Sequence, residues 1–230
     1  MISPEIIRRN LERVRARMAS AAARAGRAPE GITLVAVTKS VGPEEARVLY
    51  ELGVRDFGEN RVQELLRKRE ALAGLEIRWH LIGHLQTNKV RKVAGATELL
   101  HSLDSLRLAE AVGKAAAARG GVLSCLVEVN VSGEASKAGV SPGELGSLLE
   151  AARRMPGLRL TGLMTMAPLA AEAESSRTVF RRLRELRDEA GPFEGGAGRL
   201  SMGMTQDFET AIEEGADWVR IGTALFEERG

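Results

Sequence analysis

Short apolar segments and amphipathic helical segments alternate along almost the whole of this 230-residue chain, and that alternation restricts the fold more than any other feature. Runs rich in Val, Ile and Leu at 32–39, 55–58, 77–83, 98–102, 123–131, 160–165, 199–202 and 218–222 read as short strands buried on both faces. Helical periodicity is expected between them, at 44–52, 61–72, 88–93, 105–119, 142–155, 172–190 and 207–214. Strands separated by helices pair in parallel. Eight such strands with seven intervening helices match an α/β fold of the single (β/α)8, TIM-type barrel class, which takes roughly 250 residues. A doubly wound open sheet is the alternative.

A further helix opens the chain. Ser3 is placed to cap it, Pro4 suits its first turn, and Glu5 favours its positive end. Ile7, Leu11, Val14, Met18 and Ala22 recur at helical spacing until Gly26 and Pro29 close the segment. Only residues 223–230 follow the last strand, too few for a full eighth helix. The N-terminal helix (1–27) is therefore expected to cover the gap in the outer ring of the barrel (32–230). No linker, repeat or low-complexity tract interrupts the sequence, so 1–230 is expected to form one domain. The glycine-rich stretch 191–198 lacks a strand before it and a helix after it, and reads as a loop rather than a dinucleotide fingerprint.

Charge argues against a nucleic-acid partner. Basic residues number 33 against 31 acidic ones, and the two interleave along helices, as at 181–189, in the manner of solvated helix faces. Residues 1–17 are charged and amphipathic, unlike a secretory leader, and no stretch is suited to span a membrane. The one cysteine, Cys125, excludes an internal disulfide and lies in an apolar strand, as expected of an inert thiol in the reducing cytoplasm.

Only six basic residues are lysine: Lys39, Lys68, Lys89, Lys92, Lys114 and Lys137. In a chain that prefers arginine, a lysine closing the first strand asks for a chemical reason. A desolvated amine loses its proton and attacks a carbonyl; a guanidinium does not. The site of such a barrel lies at the carboxyl ends of its strands. Lys39, Asn60, His80, Ser201, Arg220, Gly222 and Thr223 all fall there. The loops after strands seven and eight are the usual phosphate site. Ser201 offers a hydroxyl, and Gly222 and Thr223 open a segment with free N–H groups. A Schiff-base lysine beside a phosphate site fits two chemistries: a sugar-phosphate aldolase, or pyridoxal 5′-phosphate (PLP) held as an internal aldimine. Arg220 shares a strand face with Gly222, and a buried arginine hydrogen-bonds a pyridine nitrogen without protonating it. The other reading of Arg220 is a partner for an interior Asp or Glu.

Five ordered segments carry a resemblance: Val35-Ala36-Val37-Thr38-Lys39; Phe57-Gly58-Glu59-Asn60-Arg61-Val62-Gln63-Glu64; Trp79-His80-Leu81-Ile82-Gly83-His84-Leu85-Gln86-Thr87-Asn88-Lys89; Leu200-Ser201-Met202-Gly203-Met204-Thr205-Gln206-Asp207; and Arg220-Ile221-Gly222-Thr223-Ala224. Together they resemble the pyridoxal phosphate homeostasis proteins, single-domain relatives of the alanine racemase N-terminal barrel. The resemblance implies that Lys39 forms the aldimine, that Ser201, Gly222 and Thr223 hold the phosphate, that Arg220 faces the pyridine nitrogen, and that Asn60 lines the ring. His80 is either a further ring contact or a satisfied interior histidine. Lys137 is either a second amine on the rim or a solvated loop lysine. His84 stands where the family commonly has proline.

A racemase of this kind needs a base on each face of the substrate Cα. The only tyrosine, Tyr50, falls on the first barrel helix, away from the rim. An arginine at the pyridine nitrogen also leaves the ring a poor electron sink. The expectation is a PLP-binding protein, compatible with a monomer, that buffers the cofactor and delivers it to apo PLP-dependent enzymes without robust catalysis. A weak amino-acid racemase or lyase is the alternative, and the aldolase a second.

Overall fold

The computed structural model of the protein describes residues 2–134, 137–168 and 173–228. After an N-terminal helix α1 (Pro4–Arg24) come eight strands: β1 (Thr33–Val37), β2 (Asp56–Glu59), β3 (Arg78–Leu81), β4 (Leu99–Leu103), β5 (Leu123–Glu128), β6 (Leu158–Met164), β7 (Arg199–Ser201) and β8 (Trp218–Ile221). Each pairs in parallel with the next, and β8 pairs with β1, so the sheet closes into a barrel and the open-sheet alternative is excluded. The connecting helices are α2 (Pro43–Glu51), α3 (Val62–Ala71), α4 (Val90–Val93), α5 (Leu106–Ala117), α6 (Pro142–Arg153), α7 (Ala173–Glu189) and α8 (Phe208–Glu213), and a single turn, α9 (Thr223–Phe226), follows β8.

Most strands stop one to three residues short of the apolar runs that mark them, because pairing ends where the chain turns out onto the rim. Past β5, Val129 keeps only an isolated bridge to Val140, and the Asn130 side chain folds the loop by bonding the carbonyls of Glu134 and Lys137. The helix expected at 88–93 is a 3-10 turn, Thr87–Lys89, followed by the single turn α4. Residue 172, the expected start of α7, lies outside the described residues.

The N-terminal helix fills the gap in the ring. Ile7, Leu11, Val14, Met18, Ala21 and Ala22 are buried along one stripe, where the helix packs on α2, α8 and α9. Buried Asn10 donates to the carbonyls of Leu225 and Glu227, tying α1 to the end of the chain, and Arg24 pairs with Glu209 and Glu213 on α8. Ser3 stands at the N-cap, but its hydroxyl donates to the Glu5 carboxylate (2.6 Å) and not to the cap; its carbonyl accepts the Ile6 and Ile7 amides. Gly26 ends the helix with a left-handed φ of 63°.

Alternation along the strands sorts side chains between two cores. Outward residues such as Ala36, Phe57, Leu81, Leu100, Val127 and Leu163 pack under the helices. Inside, Val35, Leu99, Leu126, Met164 and Trp218 form a small apolar cluster beside buried polar side chains, among them Asp56, His80, His101, Ser201 and Arg220. Among the described residues no helix is long and apolar enough to cross a membrane.

Candidate functional site

Lys39 lies in a turn two residues beyond β1, and its side chain is exposed. Among the described residues its amine has neither a hydrogen-bond nor an ion-pair partner, so the expected desolvated strand-end amine is replaced by an open one on the rim. The residue before it is held firmly. The Thr38 carbonyl accepts from Lys68 Nζ (2.5 Å), and the Thr38 hydroxyl donates to Glu59 Oε1 (2.6 Å). Lys68 also bonds Glu59 Oε1, and both side chains are fully buried between the sheet and α3. The other carboxylate oxygen of Glu59 has no partner among the described residues. Sequence reasoning missed this pair, although its rarity argument applied to Lys68 as much as to Lys39.

Gly222 brings the end of β8 against the end of β1: a Cβ there would lie 3.1 Å from the Val37 carbonyl oxygen and 3.3 Å from its Cβ. The amides of Gly222 and Thr223 find no acceptor within the described chain. Beside them the Thr205 hydroxyl accepts the Ala224 N–H at 3.4 Å. Thr205 is presented by the β7–α8 turn, which needs Gly203 at φ 90°, since a Cβ there would sit 2.5 Å from that of Ala211. Free amides, a hydroxyl and no side chain at Gly222 make a cradle that fits a phosphate.

Ser201 is not part of that cradle. As the last residue of β7 it points into the barrel, is fully buried, and its hydroxyl already meets Arg220 Nη1 (2.6 Å) and His101 Nδ1 (2.8 Å). Thr205, at the end of the same sequence segment, is the hydroxyl beside the free amides. Arg220 is buried, with Nη1 on Ser201 and Nη2 on the Thr165 carbonyl (3.0 Å), and among the described residues it makes no ion pair. Burial draws its guanidinium down to about 10 against the opposing charges of Glu128 and Asp207, so it stays charged at neutral pH. His80 takes the interior role: it is 2 % exposed, and both ring nitrogens are engaged, by Asp56 and His101. Asn60 is half-buried beyond β2, its side chain without a hydrogen-bond partner among the described residues; the Gly83 loop packs on its backbone so closely that a Cβ at Gly83 would lie 2.3 Å from the Asn60 carbonyl oxygen. In that loop His84 faces Asp104 across the rim at 3.0 Å.

Lys137 is anchored rather than solvated, bridging Glu134 (3.1 Å) and the Met166 carbonyl (3.3 Å). Tyr50 lies at the opposite end of the barrel, its hydroxyl accepting the Glu76 amide and its ring under Arg55. The Cys125 thiol is buried, which pushes its ionisation up, as an inert cysteine requires.

Glu128 ends β5 on the inward face, 3 % exposed, and among the described residues nothing hydrogen-bonds its carboxyl. Burial pushes it up to about 7, Arg220 pulling it down and Asp104 pushing it further. A carboxyl raised in the fold and ordinary in the unfolded chain costs stability as pH rises from about 4.5 to about 7. Glu128→Gln is therefore expected to melt higher than the parent at pH 8, by on the order of 2–3 kcal/mol, with the gain vanishing near pH 4.5; thermal melts at the two pH values check this.

Residues 2–229 match the family model of the alanine racemase N-terminal domain. A pyridoxal phosphate homeostasis protein of Aquifex aeolicus is 48% identical over 220 residues, covering 95% of this chain and 96% of the relative. The chain belongs to this family. A second homeostasis protein, from Pseudomonas aeruginosa, is 44% identical over 97% of this chain and 96% of its own. Among solved structures, PipY of Synechococcus elongatus with PLP bound is similar at a TM-score of 0.82 and 33% identity, over 96% of this chain and all of PipY. An alanine racemase of Clostridium difficile shares the fold at a TM-score of 0.75 and 16% identity, with this chain covering 57% of it.

Proposed function

We propose that this protein holds PLP on its carboxyl rim, linked to Lys39, and buffers and delivers it to apo PLP-dependent enzymes in the cytoplasm without robust catalysis. The observation that carries this reading is an exposed lysine amine on the same rim as a cradle of backbone amides, none of them paired among the described residues. PLP, when bound, supplies an aldehyde that condenses reversibly with a primary amine. Gly222, Thr223 and Thr205 would hold the phosphate, Arg220 would donate to the ring nitrogen without protonating it, and Asn60 would line the ring. The clamp on Thr38 fixes the start of the Lys39 turn. The amine itself stays open to solvent. The only tyrosine sits at the far end of the barrel and supplies no second base.

Thr205→Ala removes a hydrogen bond to a charged group, worth about 1.5–3 kcal/mol. It is expected to weaken PLP binding roughly tenfold or more while leaving the affinity for pyridoxal, which lacks the phosphate, unchanged. Equilibrium dialysis with both ligands reads this out.

Glu128 favours one second reading. A buried carboxyl that titrates near neutrality in the barrel mouth is suited to move a proton, as a weak racemase or lyase would need. Solvent deuterium exchange at Cα across a panel of amino acids separates the two. The carrier predicts none above background, together with transfer of PLP to an apo-enzyme. Exchange that depends on both Lys39 and Glu128 would establish the enzyme instead.

A further inference from the structure

Five buried inward side chains, from five different strands, form one unbroken hydrogen-bonded row across the barrel. Arg220 Nη1 lies 2.6 Å from Ser201 Oγ, and Ser201 Oγ lies 2.8 Å from His101 Nδ1. His101 Nε2 is 2.9 Å from His80 Nδ1, and His80 Nε2 is 3.0 Å from Asp56 Oδ1. Asp56 is in turn gripped by Arg78 through both oxygens (2.8 and 2.5 Å) at the amino end of the barrel, where Arg78 reaches solvent. The row thus joins the amino-terminal face to the guanidinium placed at the cofactor ring.

Donor accounting leaves one arrangement of protons. Arginine only donates, so Ser201 Oγ accepts from Arg220. The Ser201 proton has a single remaining partner, His101 Nδ1, which must then be bare. His101 carries its proton on Nε2 and gives it to His80 Nδ1. His80 carries its proton on Nε2 and gives it to the Asp56 carboxylate. Every donor is satisfied with both imidazoles neutral, and every N–H and O–H points from Arg220 toward Asp56. An extra proton on either histidine reverses the row and leaves the Ser201 proton facing the guanidinium with no acceptor.

We propose that His101 and Ser201 are positioning residues for Arg220, and that the neutral His80–His101 pair, polarised by Asp56, stands in for the carboxylate that a buried guanidinium would ordinarily have. This rests on the reading that PLP binds with its ring nitrogen at Arg220. The row fixes the guanidinium plane through Ser201 and the Thr165 carbonyl, so the remaining N–H groups keep one aim. Burial, with the Arg220 guanidinium nearby, holds His101 well below its usual range, in keeping with a permanently neutral ring. The charged groups around Arg220 itself are Glu128 and Asp207, neither hydrogen-bonded to it.

The test has two parts. In the PLP-free protein, 15N-histidine NMR is expected to show His101 neutral, protonated on Nε2 and bare on Nδ1, from pH 5.5 to 8.5. With 15N-labelled PLP, Ser201→Ala and His101→Leu are expected to shift the ring-nitrogen resonance in the direction that Arg220→Ala does and to raise the PLP Kd about tenfold. Ser201→Thr, which keeps the hydroxyl, is expected to restore both. Titration of His101 within that pH range, or a wild-type ring-nitrogen shift in folded Ser201→Ala, would overturn the proposal. Failure of the parent protein to bind PLP at all would strike the proposed function, and the histidine spectra of the PLP-free protein would still decide the proton arrangement.

Discussion

Lys39→Ala protein, mixed with PLP and dialysed, is expected to be colourless and to carry no cofactor that borohydride can fix, while the parent turns yellow and is fixed. The effect should be a complete loss of covalent attachment with no loss of fold. The Lys39 side chain is exposed and touches no hydrogen-bond or ion-pair partner among the described residues, so its removal leaves no cavity and no orphaned group. A melting temperature within experimental error of the parent, together with the lost band, separates chemistry from stability. Residual reducible cofactor in the variant would mean that another amine carries it, and Lys137, fastened to Glu134 and the Met166 carbonyl, is the next to examine.

The second large effect is expected behind the site. Lys68→Met leaves the Glu59 carboxylate fully buried with its counter-charge gone, and one of its oxygens is already without a partner. Breaking a buried pair from one side costs about 3–5 kcal/mol, measurable as a lower urea midpoint. Replacing both partners, as in Lys68→Met with Glu59→Leu, is expected to recover most of that stability, since an apolar pair of similar volume is often no worse than a buried ion pair. Function should not recover with it. The Thr38 carbonyl and hydroxyl would both have lost their anchors, so the Lys39 turn would be loosened and attachment of PLP slowed in a stable protein. A double variant that folds stably and attaches PLP at the parent rate would show the clamp to be structural only.

The barrel was legible because its signal is redundant. Eight apolar runs with helices between them leave few topologies, and the short tail after β8 points to α1 as part of the ring. The strand ends were less legible, since an apolar run continues past the last ladder bond, as at Val129 beyond β5. Within the candidate site, Lys39 stood out by its place at a strand end and the scarcity of lysine, and Gly222 and Thr223 by chain position. Ser201 misled because residues at the carboxyl end of a strand alternate between rim and interior, and one residue of offset decides which; the same alternation left His80 with two readings, and its ring lies in the interior. Ser201 points inward, and Thr205, four residues on in the loop, takes the place expected of it. His101 carried no local signal, because its meaning comes from partners on β3 and β7, 21 and 100 residues away.

The most direct measurement is a peptide mass map of the protein after PLP binding and borohydride reduction. A reduced PLP adduct on the peptide containing Lys39, and on no other lysine peptide, is the predicted result. An adduct confined to Lys137 or another lysine, or no adduct at all from protein that binds PLP, would contradict Lys39 as the residue that holds the cofactor.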